Sequence, residues 1–114
     1  MKRDMDLIKA ILLKAEDDDF SIQIEKYTEQ EVLYHQKLLI DVGYLNGKVY
    51  NNTETAKKEI AGITGREITW QGYDFLEVLK DDKKFEYIKD IAKKMPLEVM
   101  KMGIKLAFEK LKEG

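Results

Sequence analysis

Cysteine is absent from this chain of 114 residues, and histidine, proline and tryptophan occur once each. Without cysteine there is neither a disulfide framework nor a thiolate zinc site, and a reducing cytoplasm is the expected setting. His35 has no thiol to activate, so a Cys–His pair is excluded, and no Ser–His–Asp pattern surrounds it. Long apolar runs are also missing: none approaches the roughly 20 residues that a membrane helix needs. The opening Met1-Lys2-Arg3-Asp4 runs straight into an amphipathic segment carrying acids, which is not the layout of a signal peptide. What remains is 44% hydrophobic and 37% charged, the composition of one helix-rich globular domain with a modest core.

The net charge of −2 is unevenly divided. Residues 1–79 hold 10 Lys/Arg against 15 Asp/Glu, a balance of −5, whereas residues 80–114 hold 10 against 7, a balance of +3. Binding to phosphates through counterion release needs clustered cations, so strong nonspecific nucleic-acid binding by the first part is not expected.

Periodicity supplies the elements. In residues 4–16, Ile8, Ile11, Leu12 and Ala15 share one helical face, with Asp4 and Asp6 at the positive end and Asp17-Asp18-Asp19 stopping the helix. Phe20, Ile22 and Ile24 alternate with Ser21, Gln23 and Glu25 as in a half-buried strand over 20–26. Thr28-Glu29-Gln30-Glu31 is a capping box opening a helix whose stripe is Val32, His35, Leu38, Leu39 and Val42. Gly43 ends that helix, with Tyr44 or Leu45 folding back as the apolar contact. Residues 44–50 and 58–64 read as an antiparallel ribbon, ahead of a competing short helix over 53–61. Thr69 caps a helix with Gly72, Phe75, Leu76 and Leu79 inward, and the glycine there implies close packing against a neighbour. Asp81-Asp82 caps a segment with Phe85, Ile88, Ala92 and Met95 on one face. Pro96 suits the first turn of a last helix bearing Leu97, Met100, Ile104, Phe108 and Leu111 near an a/d seam.

Helix, short strand, capped helix, ribbon and further helix in that order spell a mostly helical α+β fold, a winged helix-turn-helix. The expected division is a winged-helix-like domain over 1–82 and a C-terminal helical extension over 83–114, packed on it or mediating oligomerisation. The segments MKRDMDLIKAIL (1–12), YHQKLLIDVGYLNG (34–47) and ITWQGYDFLEVLKDD (68–82) resemble an uncharacterised family of phage and prophage proteins, known as a domain of unknown function. That resemblance implies a winged-helix-like fold in a phage or prophage setting. It implies no activity and assigns no functional residue.

In a winged helix the helix over 28–43 takes the recognition position. Its outward residues would be Gln30, Leu33, Gln36, Lys37, Ile40 and Asp41, of which Gln30, Gln36 and Lys37 carry base- or phosphate-reading groups. The wing adds Lys48, Lys57, Lys58 and Arg66, with Asn51 and Asn52 at its tip. Against this, the acids Glu29, Glu31 and Asp41 outnumber Lys37 on the helix, so a solvated face competes evenly with a base-reading one. The expected function is a DNA-binding accessory regulator; the alternative is a protein-interaction module with no nucleic-acid role, its acidic surface meeting a basic host or phage protein. The partners are accordingly double-stranded DNA or such a protein, with no membrane. The Leu97, Met100, Ile104, Phe108 and Leu111 seam is read either as a homodimer interface or as an intramolecular lid.

Bland readings hold elsewhere. His35 is expected as a neutral core residue bonded to a backbone carbonyl or to a helix-1 acid such as Asp6. Asp17-Asp18-Asp19 lacks the glycine and terminal glutamate of a calcium loop, so no metal is expected. Gly62-Ile63-Thr64-Gly65 has the spacing of an RNA-clamping GxxG loop, but turn glycines before the Thr69 helix are the better account. No phosphate loop or nucleophile–base pair is present, so neither enzyme activity nor a cofactor is expected.

Overall fold

The computed structural model describes residues 3–51 and 59–94. They form a mostly helical α+β fold: α1 (Met5–Glu16), α2 (Glu29–Asp41), β1 (Leu45–Asn51), β2 (Ile60–Ile68), α3 (Trp70–Lys80) and α4 (Asp82–Lys94). The two strands pair antiparallel as one hairpin.

Local chemistry places each helix. The Asp4 carboxylate caps α1 by accepting from the amides of Asp6 and Leu7, and α1 buries Met5, Leu7, Ile8, Ile11, Leu12 and Ala15. The Thr28 capping box forms as expected: Glu31 N–H donates to Thr28 Oγ1 at 3.1 Å, and Thr28 N–H donates to Glu31 Oε1 at 2.9 Å. At the other end of α2, the Gly43 amide donates to the Ile40 carbonyl and the Tyr44 amide to the Leu39 carbonyl, with Gly43 at φ +86°. That paired arrangement is a Schellman turn. Tyr44 is the apolar contact that follows it, buried and stacked on Phe75 at 4.5 Å between centroids. Asp81 caps α4 through the Lys84 amide, and Phe85, Ile88 and Ala92 of α4 join the main core.

The expected strand over 20–26 does not form. Its alternation is real, since Phe20, Ile22 and Ile24 are half-buried and Ser21, Gln23 and Glu25 exposed. Two of its backbone donors, however, are taken by nearby side chains: Ser21 N–H donates to Asp19 Oδ1 and Gln23 N–H to Ser21 Oγ. Short polar side chains that satisfy their own backbone in this way compete with a ladder. The segment packs its apolar side chains as a loop.

The hairpin is longer and less regular than expected. Ile60, Ile63 and Ile68 are all buried, although spacings of three and five would put neighbours on opposite faces of a regular strand. Two register shifts resolve this, one between Tyr50 and Asn51 and one between Asn46 and Lys48. At the second, Gly65 takes φ +65° and, with Arg66, opposes Gly47 alone, the geometry of a glycine bulge. Gly62 and Gly65 thus lie inside β2, correcting the expectation that they form a turn ahead of α3; a strand with bulges is also no RNA-clamping loop. Residues 53–58, where a helix competed with the ribbon, lie outside the described residues, while Ile60 and Ala61 belong to β2.

The junction of α2, β1 and α3 is the tightest point. Thr69 Oγ1 donates to the Gly43 carbonyl at 2.7 Å and accepts from the Gly72 amide at 3.0 Å, while the Thr69 amide donates to the Tyr44 carbonyl at 3.1 Å. Gly72 faces that same carbonyl so closely that a Cβ there would stand 2.1 Å from the Tyr44 oxygen. The expected close packing at Gly72 is therefore a backbone-to-helix contact. Gly72→Ala should cost about 3 kcal/mol, at the upper end for overpacking, because a carbonyl cannot swing aside as a side chain can. Urea unfolding checks this, and a midpoint within error of the parent's would contradict it.

His35 is fully buried and ties α2 to the start of α1. Its Nε2 accepts from the Asp4 amide at 2.8 Å, so Nδ1 carries the proton and donates to the Glu31 carbonyl at 2.7 Å. The carbonyl partner is of the expected kind; the helix-1 partner is the backbone of Asp4, not the Asp6 carboxylate. Tyr27 Oη donates to Asp4 Oδ2 at 2.9 Å, and burial together with that acceptor pushes the phenol up to about 12. Burial holds His35 below its ordinary value of about 6.5. As pH falls through that value the unfolded chain takes up a proton that the folded chain refuses, so the stabilisation is present above it and lost below it. The thermal midpoint should drop between about pH 7.5 and 5.5, and His35→Gln should flatten that slope. Parallel pH profiles for parent and variant would refute the assignment.

Candidate interaction surfaces

α2 is covered on two sides. Val32, His35, Leu39 and Val42 face α1 and the main core, whereas Leu33 packs with Ile60 and Ile63 of β2 in a second cluster that Ile22, Ile40 and Val49 border. Leu33 and Gln36, expected to point outward, are therefore buried; Gln36 is 1% exposed. The reason is the hairpin, which folds back over the side of α2 that a two-layer reading leaves to solvent.

The polar side chains expected to contact DNA are accordingly engaged inside the protein. Gln30 Nε2 donates to the Ile60 carbonyl at 2.8 Å and its Oε1 accepts from the Ile60 amide at 3.1 Å, so the amide side chain mimics a strand neighbour for β2. Gln36 Oε1 accepts from Arg66 Nη1 at 2.9 Å, and Gln36 Nε2 donates to the Phe20 carbonyl at a long 3.4 Å. The Arg66 guanidinium lies 5.9 Å from the Phe20 ring centroid, and burial lowers its pKa from the ordinary arginine value. Two residues before inward-facing Ile68, Arg66 points to the same side of the strand, which brings it to Gln36. Lys37 pairs with Asp41 one turn on at 3.3 Å.

Lys48 and Asn51 are exposed, as sequence expected of a wing, with the Lys48 ammonium 5.4 Å from the Tyr50 ring centroid. Asn52, Lys57 and Lys58 lie outside the described residues, as do Leu97, Met100, Ile104, Phe108 and Leu111. The structure thus brings Gln36 and Arg66 together, fastens Gln30 to β2, and leaves Lys48 and Asn51 in solvent. Among the described residues no group of three or more His, Asp or Glu is arranged to hold a metal, and no helix is long and apolar enough to cross a membrane.

A second surface was not singled out from the sequence. Trp70, the only tryptophan, is 88% exposed in the first turn of α3, and Tyr73 on the next turn is 45% exposed. They border a groove of about 760 Å³ between the α1 C-terminal turn at Asp18, the base of the hairpin at Asn46, Arg66 and Glu67, and α3. Helical spacing held the signal: a face with Gly72, Phe75, Leu76 and Leu79 inside leaves Trp70, Tyr73 and Asp74 outside.

The sequence profile of a family described as hypothetical protein (DUF2513) matches residues 2–98. The chain belongs to the DUF2513 family. An uncharacterised protein of Haemophilus influenzae is 30% identical over 111 residues, covering 92% of this chain and 90% of that protein. No solved structure matches.

Removing a partner from the Gln36–Arg66 pair leaves a buried amide unsatisfied, at a cost of about 1–3 kcal/mol. Arg66→Ala should therefore lower stability by about that amount, whereas exposed Lys48→Ala should stay within about 0.5 kcal/mol of the parent. Denaturant midpoints of the two variants check this. Equal midpoints would mean that Arg66 is a surface residue available to a ligand.

Proposed function

We propose that this DUF2513 protein is a winged-helix protein-interaction module of a phage or prophage, non-enzymatic and cytoplasmic. The winged-helix reading is supported by α2 ending in a glycine turn directly before a hairpin that folds back onto it. The phage setting is supported by the resemblance of residues 1–12, 34–47 and 68–82, and the cytoplasmic setting by the absence of cysteine.

One observation carries the choice of function: Gln36, the best-placed base-reading side chain of α2, is buried and bonded to Arg66 and to the Phe20 carbonyl. A helix that reads bases offers free amides and guanidinium groups to a groove. Here α2 exposes Glu29 in its first turn, and its one cation, Lys37, is paired with Asp41 within the helix. Like charges at the phosphates oppose binding, while an acidic, aromatic-bearing surface suits a protein partner.

The second reading, a DNA-binding accessory regulator, has its own observation: Lys48, Tyr50 and Asn51 project into solvent along β1, where a wing contacts phosphates. It would have the wing bind and α2 contribute Lys37. A selection from random duplexes at low salt separates the two. The interaction module should enrich no motif and should show a salt slope corresponding to fewer than about two phosphates. An enriched motif whose binding is lost in Lys37→Ala or Lys48→Ala would overturn the proposal in favour of the regulator.

A further inference from the structure

Trp70 is the least expected side chain on the surface. A large aromatic ring that is 88% in water gives up about the stabilisation that burying it would bring, roughly 1.5–3 kcal/mol for a large apolar side chain. Tyr73 lies one turn further along the same face, so the exposure is a patch and not a single residue. Tryptophan and tyrosine at the centre of such patches are the side chains that most often dominate protein interfaces.

The groove beside them has a definite electrostatic sense. Asp18 and Glu67 line it, and among the described residues neither carboxylate takes part in an ion pair. Arg66 is the cation in the wall, and its guanidinium is turned to Gln36 and Phe20, one buried residue and one half-buried. Asp17, adjacent to Asp18, is exposed as well. Asn46 adds an amide at the rim. An indole face beside two uncommitted carboxylates matches a cation that is both planar and hydrogen-bonding. Arginine meets that description: its guanidinium stacks on an aromatic face and donates in a fork to a carboxylate, whereas a phosphate would be repelled by the same acids.

We propose that the groove between Asp18, Glu67 and Trp70 is a docking site for an arginine-bearing segment of a partner protein. This rests on the interaction-module reading above and names the chemistry of its partner. An arginine side chain stacks on Trp70 with Tyr73 alongside, and its guanidinium reaches Asp18 or Glu67.

Because Trp70 is the sole tryptophan, the full-length protein reports on its own site by fluorescence. The probe is a short acetylated and amidated peptide of alternating arginine and glycine, titrated at low salt, with a glutamate–glycine peptide and a short single-stranded oligonucleotide as alternatives. Saturable quenching or a blue shift is expected with the arginine peptide alone, and Asp18→Asn/Glu67→Gln should weaken it about tenfold or more. Trp70→Ala, read by calorimetry, should do likewise, and its exposed position predicts an unchanged circular dichroism spectrum. No saturable change, equal response to the glutamate peptide or oligonucleotide, or unaltered affinity in the double variant would overturn the proposal. Concentration-dependent self-association abolished by Trp70→Ala would also overturn it, assigning the groove to a second copy of the chain. Failure here leaves the interaction-module reading to the duplex selection, which tests it separately.

Discussion

The backbone contact between Gly72 and the Tyr44 carbonyl fixes how α3 sits against the end of α2. Three groups converge on Gly43 and Tyr44: the Thr69 hydroxyl, the Thr69 amide and the Gly72 Cα. Since α3 cannot rotate without driving another residue into the Tyr44 oxygen, its azimuth is fixed by the one residue that lacks a Cβ. A two-residue step along a helix turns by about 200°, so fixing Gly72 inward places Trp70 outward. The same azimuth puts Phe75 under Tyr44, where the rings stack, and brings Leu76 and Leu79 into the core with α1 and α4. The exposed tryptophan is thus tied to the Gly72–Tyr44 contact. Whether or not the ring serves a partner, α3 cannot turn it inward without losing that junction.

Much of this was written locally in the sequence. The Thr28–Glu31 capping box, the Gly43 stop and the Thr69 cap each depend on a residue and its neighbours within one turn. Such features survive whatever the rest of the chain does. Gly72, in contrast, was legible only as a glycine in a helix stripe and not by its Tyr44 partner. The hairpin register was not legible, because it depends on two bulges that only the need to bury Ile60, Ile63 and Ile68 together explains. The segment 20–26 was misread for a related reason. Alternating burial is a property of side chains, and the pattern does not reveal that Asp19 and Ser21 hold the backbone donors a ladder would use.

At the candidate sites the limit of legibility was the width of the buried arc of α2. A single apolar stripe through Val32, His35 and Leu39 leaves Leu33 and Gln36 looking outward. Only the return of β2 over the helix shows that they form a second stripe with Ile60 and Ile63. Trp70 was legible in principle, since the α3 stripe excludes it, but exposure alone does not distinguish a docking residue from an idle one. The groove with Asp18 and Glu67 joins residues about 50 apart in sequence that no local pattern connects.

His35 and Gln36 are consecutive, fully buried and polar, and they anchor opposite neighbours: His35 holds the Asp4 amide of α1, and Gln36 holds Arg66 of β2. Adjacent helix positions diverge by about 100°, so the two polar anchors hold α2 from two sides. Buried polar groups of this kind demand their partners, because an unsatisfied one costs more than the bond contributes. α2 is therefore held between α1 and the hairpin, with Glu29 and Asp41 exposed and Tyr34, Lys37 and Leu38 half-buried. Freeing the β2 side of α2 would break the Gln36–Arg66 bond and the Gln30 bonds to Ile60, while the His35 anchor to Asp4 lies toward α1.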